Sequence, residues 1–296
     1  MYTPNLLFIM DTNNNTDNPI VAICYDFDKT LSPKDMQEYA LFDKLKTTPV
    51  EFWDMSNNYA KAHGMDIILS YMKLIVDFTK KSPDLSITRQ DFVDMGAKVE
   101  LFSGVLSWFD RINKFADECG VIVEHYIISA GQKEIIEGTH IAKFFKAIYA
   151  SSFVYDQQGR PVWPNRVVNS TQKTQYLYRI NKNCLDESDE HLVHAHMPHE
   201  LRRIPFENII YIGDSFSDIP AMSIVTDRGG HSIGVYNTKT TNTDLVKQLL
   251  QHKRISFFAS ANYSKNSKLQ LLVTNIIQKI KINHELLTVS RKQRDE

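Results

Sequence analysis

The sequence predicts an α/β fold, in which a doubly wound parallel sheet is interrupted by an inserted α-helical domain. Short apolar runs rich in β-branched residues alternate with amphipathic helical patterns, which is typical of a parallel sheet covered by helices. One long interval, residues 32–102, has helical periodicity and no strand-like run. The chain of 296 residues is long enough to bury the core of such a fold.

Each apolar run predicts a strand that is buried on both faces. The runs occupy residues 20–25, 121–129, 209–212 and 232–235, and each ends in a polar or glycine-containing turn. Helical patterns at 105–119 and 133–145 lie between them. Ligands of such sheets bind beyond the carboxyl ends of the strands, so functional residues are expected there.

A helical domain is predicted directly after the first strand. Apolar residues from Ile67 to Phe78 recur at helical spacing, and Pro49, Gly64 and Pro83 divide the segment into about four helices. We therefore predict three regions. They are a flexible Asn-rich leader at residues 1–19, a core made of 20–31 and 103–296, and a helical cap at 32–102 inserted in that core.

Smaller features lie in the second half of the chain. Residues 153–168 predict a hairpin around Gly159, and residues 269–287 predict an amphipathic helix followed by a frayed tail. A polar insert at 183–200 carries four histidines, at positions 191, 194, 196 and 199. Their spacing matches no metal-ligand pattern, so we interpret the insert as a solvated loop.

The composition excludes several classes of protein. Lys and Arg number 34 against 35 Asp and Glu, which gives no electrostatic reason to expect a nucleic acid or an anionic membrane as partner. Three scattered cysteines favour a reducing compartment, and the apolar run at 6–10 is too short for a signal sequence or a membrane span. We expect a soluble, cytoplasmic protein that acts on a small molecule, and the sequence leaves its oligomeric state open.

Polar side chains follow the first predicted strand. Asp26, Asp28 and Thr30 are two residues apart, so they project to the same side while the backbone stays extended. Close carboxylates raise one another's pKa unless a cation compensates, and Mg²⁺ is the most plausible hard cation. For this motif taken alone, a capping or turn role of the two aspartates is the alternative.

A second pair of acids follows the run at 209–212. Gly213 permits a tight turn, Asp214 lies at the tip of the strand, and Asp218 lies one helical turn further on. These residues could also cap a helix. Because two strands of one parallel sheet both deliver acids to the same edge, a shared cation site is the better interpretation.

Two further segments supply groups that suit an anion. Ser129 ends a buried strand, and Ala130 and Gly131 follow it at a predicted turn into a helix, where a hydroxyl and backbone N–H groups can hold an anion. Lys173 is predicted near the start of an amphipathic helix. An ordinary serine cap and a surface lysine are the alternatives when each is taken alone.

Together these segments resemble the four motifs of the haloacid dehalogenase superfamily of phosphohydrolases. The matching residues are 26–30, Ser129, Lys173 and 213–218. The resemblance extends from residue 20 to about residue 237, and it implies a Rossmann-like core. The helical insert after the first motif makes the chain look most like the phosphoserine phosphatase-type branch, which has a helical cap.

The resemblance implies a role for each motif residue. Asp26 would be the nucleophile and a metal ligand, Asp28 the general acid/base and a ligand through its backbone carbonyl, and Asp214 the third protein ligand. The phosphate would be bound by Thr30, Ser129, Ala130, Gly131 and Lys173, and Ser217 and Asp218 would support the metal or the lysine. Asp35 stands roughly where that branch holds the ammonium group of its substrate.

The function that the resemblance implies is a Mg²⁺-dependent phosphatase for a small phosphorylated metabolite. The reaction would pass through an aspartyl-phosphate intermediate. A phosphoryl-transferring mutase on the same scaffold and a non-catalytic module that binds metal or phosphate are the alternatives. Arg89 is the only arginine of the predicted cap, and no partner for a substrate carboxylate is evident, so phosphoserine itself is not predicted as the substrate.

Overall fold

The protein folds around one mainly parallel sheet. The computed structural model describes residues 18–81, 86–214, 216–239 and 243–295. Within these ranges, seven strands are ordered β4-β3-β2-β1-β5-β6-β7, and every neighbouring pair is parallel except β3 and β4. The strands are β1 (Ile20–Tyr25), β2 (Ile122–Gln132), β3 (Phe145–Tyr155), β4 (Pro161–Arg166), β5 (Ile209–Gly213), β6 (His231–Tyr236) and β7 (Phe257–Ser260). The predicted α/β fold class is confirmed.

The central strand β1 sets the position of the site. All six of its residues are buried, as a continuous apolar run between two parallel neighbours predicts. Tyr25, its last residue, lies opposite Ile127 of β2 and Ile212 of β5. The carboxyl ends of these three strands therefore meet at one edge of the sheet.

Helices cover both faces of the sheet and fill the interval after β1. Four of them follow β1: α1 (Leu41–Leu45), α2 (Pro49–His63), α3 (Ile67–Lys81) and α4 (Arg89–Gly96). The others are α5 (Val105–Glu118), α6 (Lys133–Glu137), α7 (Lys173–Lys182), α8 (Glu190–His194), α9 (Ile219–Asp227), α10 (Asp244–Gln251) and α11 (Lys268–Asp295). No helix in the described part of the chain is long and apolar enough to cross a membrane.

The helices after β1 have strong local start signals. Thr48 and Glu51 form a capping box at the start of α2, and Thr88 and Asp91 form another at α4. The segment leaves and rejoins the core at neighbouring points, because the N–H of Phe102 donates to the carbonyl of Leu31 at 2.9 Å. This contact fits a cap inserted between residues 31 and 103, a division that stays a prediction.

The structure corrects several of the predicted elements. The helix predicted at 133–145 ends at Glu137, and Phe145 begins β3, which pairs with β2 and was missed as a parallel strand. The helix ends just before Gly138, where α4 packs so closely that a Cβ would collide with the carbonyl oxygen of Val93. The hairpin around Gly159 is confirmed.

The two ends of the chain also bear on predictions. The predicted leader, 1–19, lies outside the described residues except for Asn18 and Pro19. The predicted frayed tail is wrong, because α11 continues to Asp295. Lys, Arg and Gln in this tail are good helix formers, so the helix extends beyond its last buried residue, Ile280.

Candidate active site

Asp26 lies at the tip of β1 and faces a buried cation. Its N–H donates to the carbonyl of Ile212 at 2.9 Å, which continues the pairing of β1 with β5 by one residue. Its Oδ1 accepts from Lys173 Nζ at 3.0 Å. Burial and repulsion from Asp218 raise the pKa of Asp26 to about 6, and Lys173 offsets only part of this effect.

Lys173, the first residue of α7, bridges two acids. Its Nζ also donates to Asp218 Oδ1 at 2.6 Å, and both side chains are completely buried. Burial by itself would lower the pKa of Lys173, but the charges of Asp218 and Asp26 raise it, so the lysine stays charged. A surface lysine, the alternative that the sequence left open, is therefore wrong.

Asp218 is held in place from two sides. Tyr211 Oη donates to Asp218 Oδ1 at 2.8 Å, and a Cβ at Gly213 would lie 2.6 Å from Asp218 Cγ. Gly213 is therefore needed for close approach as well as for the turn. Ser217 lies in the single 3₁₀ turn Phe216–Asp218 and is half-buried.

Three carboxylates form a compact acidic cluster. Oxygen atoms of Asp26, Asp214 and Asp218 all lie within 4.8 Å of one another. Asp214 accepts from Thr30 Oγ1 at 3.4 Å, and burial together with the charge of Asp26 raises its pKa to about 8. Oxygens at this spacing can share one hard cation with the roughly 2.1 Å bonds of Mg²⁺. Asp26 and Asp214 therefore fit a divalent cation, while Asp218 is already paired with Lys173.

The histidine-rich insert does not form a comparable cluster. In the described ranges, Asp26, Asp214 and Asp218 form the one group of three or more possible metal ligands. No histidine of 183–200 belongs to such a group. His199 Nε2 instead lies 3.2 Å from Glu207 Oε1, and both side chains are at least half exposed. The insert is not simply a loop as predicted, because it contains the short helix α8, which Asp189 caps.

Asp28 lies beside this cluster in a separate environment. Its Oδ1 accepts from the N–H of Met36 at 2.7 Å. Burial, followed by the charges of Asp35 and Asp26, raises the pKa of Asp28 well above its ordinary value. The raised pKa favours the protonated form of Asp28, which a proton donor requires.

The backbone between Asp26 and Thr30 does not stay extended as the sequence analysis assumed. Lys29 has a φ of 57°, in the left-handed region, and the N–H groups of Leu31 and Ser32 both donate to the carbonyl of Phe27. The segment is a tight turn. The turn, and not the alternation of side chains along a strand, brings the Thr30 hydroxyl to Asp214.

The carboxyl end of β2 brings Ser129 to the same edge. Ser129 is buried, and its Oγ accepts from the N–H of Gly131 at 3.1 Å. A Cβ at Gly131 would collide with Met36 Cε and lie 2.9 Å from Asp28 Oδ2, so a larger residue there would displace these side chains. The turn predicted at Gly131 lies inside β2, which runs to Gln132, and α6 begins at Lys133, as the helical pattern predicted. Strand pairing with β3 resumes at Gln132 after an irregularity, which extends the strand beyond Ser129.

Asp35 lies at the rim of the site, where the helices after β1 begin. Both of its carboxylate oxygens lie 2.9 Å from Lys29 Nζ. It lines a cavity of about 280 Å³ that also reaches Asp28, Ala130 and Gly131. Tyr71 of α3 closes this cavity against the core by donating its hydroxyl to the carbonyl of Ala130 at 2.9 Å.

Two residues that line the cavity could not be identified from the sequence, because nothing in it distinguishes them from residues that only stabilise the fold. Gln37 lies in the short 3₁₀ helix Met36–Tyr39, and Trp53 lies on α2. An amphipathic pattern predicts which face of a helix is apolar, and it does not predict which part of that face lines a cavity.

The comparisons with known proteins identify the family. The model of the haloacid dehalogenase-like hydrolases matches residues 23–223, so the chain belongs to this family. An uncharacterized protein of Borreliella burgdorferi is 29% identical over 279 residues, which cover 86% of this chain and 95% of that protein. Residues 23–223, which the family model matches, contain all four motifs described above.

Solved structures show the same fold at low sequence identity. A haloacid dehalogenase family hydrolase from Salmonella enterica serovar Typhi has a TM-score of 0.57 and 15% identity, covering 86% of this chain and 70% of its own. A substrate-bound phosphoserine phosphatase has a TM-score of 0.54 and 12% identity, covering 86% of this chain and 98% of its own. The fold is therefore of the phosphoserine phosphatase type.

Proposed function

We propose that the protein is a Mg²⁺-dependent phosphatase that hydrolyses a small phosphate monoester through an aspartyl-phosphate on Asp26. The observation that carries the proposal is the fully buried Lys173 between Asp26 and Asp218, beside a cluster of three carboxylates. Membership of a hydrolase family supports the same chemistry.

The cation would be held by the carboxylates of Asp26 and Asp214, and by the backbone carbonyl of Asp28. Asp218 would orient Lys173 from the other side, at the 2.6 Å contact described above. Burial is the main cause of the raised pKa values of Asp26 and Asp214, and repulsion from Asp218 and Asp26, respectively, adds to it. A bound cation would offset this repulsion. When bound, Mg²⁺ offsets the negative charge of the phosphoryl group and of its ligands.

In the first step, a carboxylate oxygen of Asp26 attacks phosphorus. The bond from phosphorus to the ester oxygen breaks, and Asp28 donates its proton to that oxygen, which leaves as an alcohol. Because its pKa is raised, the Asp28 carboxyl group can hold this proton until it is transferred. Lys173 Nζ and Ser129 Oγ offer donors to the phosphoryl oxygens, which lowers the repulsion between two anions.

In the second step, water attacks the phosphorus of the aspartyl-phosphate. Asp28, now a carboxylate, accepts a proton from this water. The bond between phosphorus and the Asp26 oxygen breaks, and inorganic phosphate leaves. Atoms and charges balance over the two steps, and the enzyme returns to its starting protonation state.

The helices after β1 would select the substrate. They cover a cavity of about 280 Å³ beside Asp28, which is at the small end of the range for ligand sites. We place this activity in the cytoplasm and assign it no nucleic-acid or membrane partner. The free cysteines Cys24, Cys119 and Cys184 are consistent with a reducing compartment.

Release of phosphate from p-nitrophenyl phosphate, with Mg²⁺ or with a chelator, tests the proposal. Asp26→Asn keeps the shape of the side chain and removes the nucleophile, so we expect the rate to fall at least about 1,000-fold. Asp54→Asn, at an exposed position of α2, is the matched control and should keep the wild-type rate. Undiminished hydrolysis by Asp26→Asn, or transfer of phosphate to an added alcohol in place of water, would contradict the proposal.

A further inference from the structure

The cavity beside Asp28 is where the leaving group of the substrate would lie. It touches the catalytic edge through Asp28, Ala130 and Gly131, and its other walls come from the helices after β1. An ester attacked at phosphorus by Asp26 must place its alcohol next to Asp28, which protonates it. The lining of this cavity therefore reports the chemistry of the alcohol.

Two aromatic rings form a corner of the cavity. The rings of Trp53 and Tyr71 lie 5.8 Å apart between centroids, with their planes at 77° to each other. The hydrogen bond from Tyr71 to the carbonyl of Ala130 fixes the orientation of its ring. In this arrangement the edge of one ring packs on the face of the other, and the ring face that lines the cavity can attract an ammonium group.

A buried acceptor without a partner lines the same cavity. Gln37 is only 2% exposed, and within the described ranges its Oε1 has no hydrogen-bond partner. A buried acceptor left without a donor costs about 1–3 kcal/mol, so a ligand with an N–H group would relieve it. Asp35 adds a carboxylate to the same wall.

The charges around the site favour a cation and disfavour a second anion. Among the described residues, no Lys, Arg or His lines the cavity. Arg89, the one arginine of the predicted cap, is paired with Glu137 at 2.7 Å. A carboxylate on the alcohol would therefore meet no basic side chain among the described lining residues.

The charge balance of the whole site also favours a cationic leaving group. Four carboxylates lie here beside the protonated Asp28, from Asp26, Asp214, Asp218 and Asp35, and the basic groups that pair with them are Lys173 and Lys29. A divalent cation and a phosphate dianion would cancel one another, so the site as a whole keeps a net negative charge.

We infer that the substrate is the phosphate monoester of a small amino alcohol, with an ammonium group that keeps an N–H and with no carboxylate. The ammonium group lies in the corner of Trp53 and Tyr71 and donates to Gln37 Oε1. This inference rests on the proposed function and narrows it to one class of alcohol.

Hydrolysis of three esters by the wild-type enzyme tests the inference. The esters are O-phosphoethanolamine, propyl phosphate, which replaces the ammonium by a methyl group, and phosphoserine, which adds a carboxylate. We expect kcat/KM for phosphoethanolamine to be at least about tenfold above each of the others, the factor that about 1.4 kcal/mol of cation–π and hydrogen-bond energy gives. Equal or better hydrolysis of propyl phosphate or phosphoserine would overturn the inference.

Substitutions in the cavity wall test which residues bind the ammonium group. Trp53→Leu and Gln37→Leu should each lower the preference for phosphoethanolamine over propyl phosphate by about fivefold or more, mainly through KM, whereas Gln37→Glu should raise it. Trp163→Leu changes an exposed tryptophan of β4 and should keep the wild-type preference. A preference that is the same in all four variants would refute the assignment of these residues.

The two proposals can fail separately. If p-nitrophenyl phosphate and other esters are hydrolysed without preference for the ammonium ester, the substrate inference fails and the phosphatase proposal stands. If no ester releases phosphate, p-nitrophenyl phosphate included, the phosphatase proposal fails and the inference falls with it. The wild-type measurements decide both questions even if a cavity variant does not fold.

Discussion

Replacing Asp214 by Asn should make the stability of the metal-free protein less dependent on pH. Burial and the charge of Asp26 raise the pKa of Asp214 from an ordinary value of 3.8 to about 8 in the folded protein. Between these two values, the folded state holds a proton on Asp214 that the unfolded state has lost. Folding then takes up a proton, so the wild type loses stability as pH rises through this window.

The size of this effect follows from proton linkage. One proton taken up on folding lowers the free energy of unfolding by about 1.4 kcal/mol per pH unit, or about 2.7 kcal/mol from pH 5.5 to 7.5. Solvent reaches part of Asp214, which is not fully buried, so we expect about 1–2 kcal/mol over that range. Asp214→Asn lacks this proton, and its stability relative to the wild type should rise by that amount.

Urea unfolding followed by tryptophan fluorescence, in the presence of a chelator at pH 5.5, 6.5 and 7.5, measures the difference. Asp110→Asn, at an exposed position of α5, controls for the change in total charge. Added Mg²⁺ should stabilise the wild type more than Asp214→Asn at pH 7.5, because only the wild type keeps the full ligand set. A difference between the two proteins that is flat from pH 5.5 to 7.5 would refute the reasoning.

Two further predictions concern stability. Lys173→Met should lower the free energy of unfolding by about 3–5 kcal/mol in urea, because it leaves buried carboxylates uncompensated. The control Lys114→Met removes an exposed pair and should cost less than about 1 kcal/mol, and equal losses would contradict the burial argument. Gly96→Ala should cost about 1–3 kcal/mol and lower the melting temperature, since its Cβ would lie 2.6 Å from the Cα of Gly138, where α4 packs on α6. An unchanged melting temperature would show that this packing is looser than described.

The strands that carry the motifs could be predicted because their signals are local. A continuous apolar run such as Ile20–Tyr25 predicts a strand buried on both faces, and residues that follow such strands meet at one edge of a parallel sheet. Most of strand β3 was missed, because the predicted hairpin includes only its last residues, from Phe153 onward. Its parallel pairing with β2 depends on contacts between distant segments.

The partners within the site depended more strongly on the tertiary structure. The sequence placed acids at the tips of β1 and β5, but it could not show that Lys173 lies between Asp26 and Asp218 with no exposure to solvent. The turn at Lys29 also redirected Thr30 to Asp214. Turn geometry and the approach of α7 settle these contacts, and neither follows from residue spacing.

By itself, the sequence determined the chemistry that this edge of the sheet can offer, since residue types and the direction of parallel strands are both encoded locally. Only the tertiary structure decided what surrounds the leaving group. Gln37, Trp53 and Tyr71 belong to separate elements and meet the carboxyl end of β2 at one small cavity. Helical periodicity predicts that such residues are inside, whereas the packing of one element on another decides which of them face an open space.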